Sequence, residues 1–156
     1  MRTYITLNEL ADMMDRHRIT VWRDIVQHIH SYPFTNLSEN PDFLVSPRLY
    51  GNSLHFFDRD EVENILGADF VEENGKKRHL LRLKKSAAFL GMGLQHFYHL
   101  KKQSIVNLPY VDFLNGAYLR VCDLNLFKKH YRRMYPISWE EILIREKQEN
   151  TPSVDA

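Results

Sequence analysis

Residues 5–29 carry the pattern that most restricts how this chain can fold. Thr6-Leu7-Asn8-Glu9 fits the capping box S/T-x-x-E, in which hydroxyl and carboxylate satisfy backbone N–H groups that a helix start leaves unpaired. A helix is therefore predicted to begin at Thr6. Leu7, Leu10, Ala11 and Met14 follow at i, i+3, i+4 and i+7, which gathers them into one buried stripe. Asp15-Arg16-His17 interrupts the stripe as a short turn, and Trp22, Ile25, Val26 and Ile29 restart it in a new phase. The segment reads as two short helices joined by about three residues, the second studded with arginine.

Further along, Ser31 to Pro41 has loop composition. Phe43-Leu44-Val45 and Leu54-His55-Phe56-Phe57 are β-prone runs separated by Pro47 and Gly51-Asn52, and a hairpin is expected there. Asp58 or Asp60 can cap a third helix through Leu66, with Gly67 ending it. Residues 71–79 switch from Glu72-Glu73 to Lys76-Lys77-Arg78, have little to bury and read as a linker. The order of elements then returns at a constant offset. Leu83, Ala87 and Leu90 stand where Leu7, Ala11 and Met14 stood, Gly91-Met92-Gly93 replaces the turn, and Phe97-Tyr98 replaces Val21-Trp22. Tyr110 to Phe113 and Tyr118 to Val121 flank Asn115-Gly116, a strong hairpin signal, and Asp123 is expected to cap a helix from Leu124 to Tyr135. The chain divides into a first unit, 1–70, a linker, 71–79, a second unit, 80–135, and a C-terminal helix and tail, 136–156. Ser138-Trp139-Glu140-Glu141 is another capping box. Its helix is expected to fold back on the second unit, because a short isolated helix is marginal in water; dimerisation through Trp139 and Ile142 is the alternative.

A net charge of +1 conceals a division along the chain. Residues 1–75 hold 6 Lys+Arg against 13 Asp+Glu, residues 76–135 hold 13 against 2, and residues 136–156 hold 2 against 5, giving −7, +11 and −3. A segment at +11 attracts a polyanion, since each cation that neutralises a phosphate releases condensed counterions. The plainer reading is a solvated basic surface that balances an acidic neighbour. One cysteine, Cys122, allows no intramolecular disulfide and no zinc-finger ligand set, and reads as a small core residue. The start of the chain has no apolar signal-like run, and no stretch of about 18 apolar residues occurs, so a cytoplasmic protein with no membrane partner is expected.

Thr6-Leu7-Asn8-Glu9-Leu10-Ala11 through Thr20-Val21-Trp22-Arg23, with the hairpin and Asp-capped helix that follow, resembles the MerR and excisionase class of winged helix-turn-helix domains. Ala87-Ala88-Phe89-Leu90-Gly91-Met92 through Phe97-Tyr98 resembles the same class, including the Leu-Gly that often closes its first helix. The resemblance spans residues 4–135 and departs from the class at Asp15, where glycine is usual, at Asp24, and in lacking an effector-binding coiled coil. It implies a mainly α fold with small β-hairpin wings, a tandem winged helix-turn-helix. It also implies sequence-specific binding of double-stranded DNA, by a transcription regulator or an excisionase-like architectural factor of a phage or mobile element. Two units could read sites about one helical turn apart, as one chain, as a homodimer or in an assembly along DNA. The alternative is an adaptor, in which the acidic first unit or the C-terminal helix binds a protein partner and only the second unit touches nucleic acid.

The DNA-facing set of the first unit is Arg16, His17, Arg18, Thr20, Trp22 and Arg23, with Arg48 beyond it. Arg18 with Trp22 and His17 with Arg23 can share the exposed side of the second helix while Val21, Ile25 and Ile29 face inward. A guanidinium can bond both O6 and N7 of guanine, which makes Arg18 and Arg23 the base readers unless Asp12, Asp15 or Asp24 engages them. The second unit offers Gln95, His96, Tyr98, His99, Lys101 and Lys102; glutamine can bond adenine while lysines engage phosphate. Arg120 on the expected wing, and Arg132 and Arg133 after it, are assigned to the DNA backbone. His96-x-x-His99 and His28-x-His30 lack a carboxylate or thiolate to complete a metal site, and no nucleotide-binding, hydrolase or metalloprotease motif occurs. No metal, cofactor or catalytic residue is expected.

Overall fold

The capping box at Thr6 is complete in the computed structural model, which describes residues 4–26, 32–37, 55–103, 108–114, 118–131 and 137–150. The Glu9 N–H donates to Thr6 Oγ1 at 3.2 Å and the Thr6 N–H donates to Glu9 Oε1 at 3.4 Å. Helix α1 (Leu7–Met13) starts there, and Leu7, Leu10, Ala11 and Met14 are all buried. Asp15 turns the chain at φ +52°, a left-handed conformation that a short polar side chain tolerates, and α2 (Arg18–Val26) follows with Val21 buried. Strand β1 (Tyr4–Thr6) pairs antiparallel with β2 (Phe56–Asp58), Ile5 opposite Phe57. Asp58 then caps α3 (Arg59–Leu66), accepting from the Asp60 N–H at 2.9 Å and the Glu61 N–H at 3.3 Å. The hairpin expected from 43–45 and 54–57 is therefore replaced, for Phe56–Asp58, by pairing with the N-terminal strand. Residues 43–45 lie outside the described residues. An apolar run of this length marks a buried strand without naming its partner.

Residues 71–79 are folded rather than an open linker. Strands β3 (Val71–Glu73) and β4 (Lys76–Arg78) form a hairpin whose turn, Asn74 at φ +53° and Gly75 at φ +78°, has the left-handed pair that tight hairpins favour. Its charge switch is cross-strand complementarity, Glu72 opposite Lys77 and Glu73 opposite Lys76.

The first unit's order then recurs. Strand β5 (Leu80–Arg82), α4 (Leu83–Phe89) and α5 (Leu94–Lys102) repeat β1, α1 and α2, each at the same distance along the chain. The turns correspond bond for bond: the Arg16 N–H donates to the Ala11 carbonyl at 3.0 Å, the Met92 N–H to the Ala87 carbonyl at 2.9 Å, and Gly91 at φ +73° stands for Asp15. Strand β6 (Tyr118–Arg120) and α6 (Val121–His130) repeat β2 and α3, and β5 pairs with β6 in the matching register, Leu81 opposite Leu119. The second half of the repeat follows sooner than the first, because the connection from α2 to β2 is longer than that from α5 to β6. The chain thus contains two βααβα units and is mainly α, with three small antiparallel strand pairs among the described residues. The hairpin expected around Asn115-Gly116 is not the pairing that Tyr118–Arg120 makes; from the 110–113 side the Val111 N–H donates to the Tyr118 carbonyl at 3.0 Å. Helix α6 starts before Leu124, and Asp123 sits inside its first turn, held by Arg120, instead of capping it.

A shared junction joins the units. Side chains alternate along β5 and β6, so Leu80 and Tyr118 pack with Ile5, Leu10 and Val62 while Leu81 and Leu119 pack with Phe97, Leu124 and Phe127. Buried His79 donates its backbone N–H to the Met13 carbonyl at 2.8 Å, its own carbonyl accepts the Val121 N–H at 3.0 Å, and its Nδ1 lies 2.8 Å from the Gly67 carbonyl. Burial pushes the imidazole below its ordinary pKa, against the raising effect of the Gly67 bond. A depressed folded-state value gives stability that is present above about pH 6.5 and lost as pH falls through the folded-state value. Urea midpoints measured between pH 7.5 and 5 should therefore decline, and His79→Gln should flatten that decline; an unchanged slope in the variant would assign it to other groups.

Helix α7 (Trp139–Asn150) folds back on the second unit, as expected. Trp139 and Ile142 enter the second core, Ser138 Oγ accepts the Glu141 N–H at 3.2 Å, and Lys129 reaches Glu146 and Glu149 at 3.0 and 2.7 Å. Because Trp139 and Ile142 are buried within the chain, they do not form a dimer face. No helix among the described residues is long and apolar enough to cross a membrane.

Candidate nucleic-acid interface

The turn and α2 present His17, Arg18 and Arg23 to solvent, with Thr20 half-buried between them. His17 Nδ1 accepts the Ile19 N–H at 3.2 Å and so satisfies one orphan donor at the start of the helix. Two expected DNA contacts turn inward. Arg16 Nη2 donates to Asp24 Oδ2 at 2.9 Å, with its side chain only 11% exposed, and the Tyr32 hydroxyl donates to the same oxygen at 2.8 Å. Trp22 packs against the first core beside Ile25, where its large ring removes more apolar surface from water than on an open face. The same ion pair resolves the oddity of Asp24, which is buried rather than displayed. Asp24 is the one acid in α2, so the exposed face of that helix carries no carboxylate.

In the second unit Gln95, His96, Tyr98, His99 and Lys102 are exposed while Phe97 and Leu100 fill the core. Helix α5 contains no acid at all. Lys101 is half-buried, its Nζ 4.2 Å from the centre of the Tyr110 ring, a cation–π contact that leaves it at the edge of the face. Arg120 leaves the set: its Nε and Nη2 grip both oxygens of Asp123 at 2.9 and 3.2 Å, and Nη1 donates to the Ile65 carbonyl at 3.3 Å. A carboxylate three residues on captures the guanidinium before any phosphate can. Arg48, Arg132 and Arg133 lie outside the described residues.

Part of the charge contrast along the sequence closes within the molecule. Lys85 lies 2.9 Å from Asp15 and 2.8 Å from Glu73, Arg78 lies 3.6 to 4.0 Å from Asp12, Asp15 and Glu73, and Lys76 lies 3.8 Å from Asp12. For these residues the plainer reading holds: the basic segment balances its acidic neighbour. Lys77, Arg82, Lys84 and Lys128, which sequence reasoning passed over, are exposed and make no ion pair among the described residues. The run Arg82-Leu83-Lys84, at the start of the second apolar stripe, was the signal for two of them.

Two further groups among the described residues are held by their surroundings. Burial raises the Cys122 pKa above its ordinary value, which disfavours the reactive thiolate. His130, Glu146 and Glu149 converge, with ligand atoms within 4.8 Å of one another, yet the Lys129 ammonium already bridges the two carboxylates and supplies the positive charge there. Comparison with protein-family models, curated proteins and solved structures finds no match for this chain.

Proposed function

We propose that this protein binds double-stranded DNA in a sequence-specific manner as a tandem winged helix-turn-helix, in the role of a transcription regulator or an excisionase-like architectural factor. One observation carries the reading: two βααβα units of matching register each turn an acid-free exposed face on their second helix. Arg18 and Arg23 are suited to guanine edges, Gln95 to adenine, and Lys102, with Lys84, to phosphate. Duplex DNA is a polyanion, and an acid-free face meets it without the local repulsion that an exposed Asp24 would have introduced.

The test is fluorescence anisotropy of the whole protein against random-sequence duplex pools across a salt series, with sequencing of the bound fraction. A defined motif should be enriched, and affinity should fall steeply as salt rises. Combining Arg18→Glu with Arg23→Glu should weaken binding about 100-fold and relax preference over one half-site. Unchanged affinity in that variant would restrict DNA contact to the second unit, and no binding at low salt would overturn the reading.

A further inference from the structure

A cleft of about 560 Å³ opens where the two units meet. Arg16, His17 and Arg18 line it from the first unit, and Lys76, Arg78 and Arg82 line it from β4 and β5. Five of these six are permanent cations, and their circumstances differ. Arg16 is held by Asp24, Arg78 by Asp12, Asp15 and Glu73, and Lys76 by Asp12. Arg18 and Arg82 are exposed and make no ion pair among the described residues; Arg82 instead lies over the Tyr118 ring, 5.3 Å from its centre. Arg78 is nine-tenths buried, yet its Nε has no hydrogen-bond partner among the described residues, and neither has the buried Nε of Arg16.

The charge set belongs to the junction rather than to the repeated architecture. The second unit's counterparts of Asp12, Asp15, Arg16 and Arg18 are Ala88, Gly91, Met92 and Leu94, none of which is charged. Asp12 and Asp15 also line the cleft, but both are already engaged by Lys76, Arg78 or Lys85. What the ion pairs leave unexplained is two exposed guanidinium groups from different units at one concavity, neither in an ion pair among the described residues. Like charges gathered in this way repel one another and destabilise the compact state, whereas a tetrahedral oxyanion seated between them would offset that charge. We propose that this cleft binds a phosphate group, gripped by Arg18 and Arg82, with Arg78 behind it and Lys76 beside it. The guanidinium fork matches phosphate oxygens pairwise, which lysine alone does not do. The phosphate belongs either to a small phosphorylated solute, independently of the DNA reading, or to the backbone of the duplex, in which case the inference rests on that reading and moves Arg18 from a base edge to the backbone, leaving Arg23 to the guanine.

The experiment titrates the full chain with inorganic pyrophosphate and, separately, with the random-sequence duplex pool, for wild type, Arg18→Ala, Arg82→Ala and Arg145→Ala. Arg145 is an exposed cation on α7, so its removal makes the same change in net charge away from the cleft. Pyrophosphate should bind and raise the unfolding temperature; Arg18→Ala and Arg82→Ala should each weaken it about tenfold, and Arg145→Ala should not. Loss of pyrophosphate binding alongside a salt slope for duplex that falls by about one in Arg82→Ala, with the motif unchanged, assigns the phosphate to the DNA backbone. Pyrophosphate binding without duplex binding keeps the cleft and overturns the DNA reading. Motif-specific duplex binding that Arg82→Ala leaves untouched, with no response to pyrophosphate, overturns the cleft alone. Equal weakening by Arg145→Ala also overturns it, because diffuse charge would then suffice.

Discussion

Asp24→Ala is expected to lower the free energy of unfolding by about 3–5 kcal/mol, because it strips a buried guanidinium of its counter-charge. Arg16 reaches Asp24 at 2.9 Å with side chains 11% and 6% exposed, and Tyr32 donates to the same oxygen. The penalty comes from the charge left behind rather than from the worth of the pair, so the double replacement Arg16→Met with Asp24→Leu should lie much closer to wild type. Urea unfolding of the single and double variants measures the difference; a single variant within about 1 kcal/mol of wild type would show that water reaches Arg16 freely. Burial, and then the bond to Asp24, push the Tyr32 phenol above its ordinary pKa. A raised folded-state value means that this group's contribution is full below about pH 10 and is lost as pH rises toward the folded-state value. Asp24→Ala should therefore weaken the alkaline fall in stability as well as lower the plateau.

Gly67→Ala is expected to cost about 2–4 kcal/mol, from two separable sources. Gly67 adopts φ +88°, ψ 153°, a conformation that residues with a Cβ rarely enter, and an added Cβ would lie 2.5 Å from Cys122 Sγ. Its carbonyl also accepts from His79, so any local adjustment is passed to the junction. Cys122→Ala removes the clash and leaves the backbone strain. Thermal unfolding of the two single variants and the double should show Gly67→Ala costing less in the Cys122→Ala background. Equal costs in both backgrounds would assign the whole effect to the backbone.

The local signals were the legible ones. The hydroxyl of Thr6 and the carboxylates of Glu9 and Asp58 act within three residues, and the apolar stripe of α1 depends only on helical spacing, so the caps at Thr6 and Asp58 and the repeat of α1 and α2 as α4 and α5 could be read in advance, whereas strands β1 and β5 could not. Strand partners could not, because such short strands have no period to speak of and β1 finds β2 far along the chain, beyond two helices. Asn74-Gly75 carried a turn signal, but its flanking strands are charged rather than apolar, and what holds them is Asp12 of α1 and Asp15 in the turn after it, both in the first unit. The same non-local chemistry decided the interface. Arg18 and Arg23 stay exposed, whereas Arg16 is captured by Asp24 on the next helix and Arg120 by Asp123, distinctions of side-chain direction that composition does not contain.

Because β5 and β6 belong to both cores at once, the two units have no tether on which to swing. On the proposed reading, a protein with tethered domains would follow its half-sites wherever a genome placed them, while this one acts as a caliper with fixed jaws. About five extra base pairs between half-sites, half a helical turn, would carry one of them to the far side of the duplex, out of reach of a helix that cannot travel with it. Spacing then becomes as much a part of the recognised word as the bases themselves.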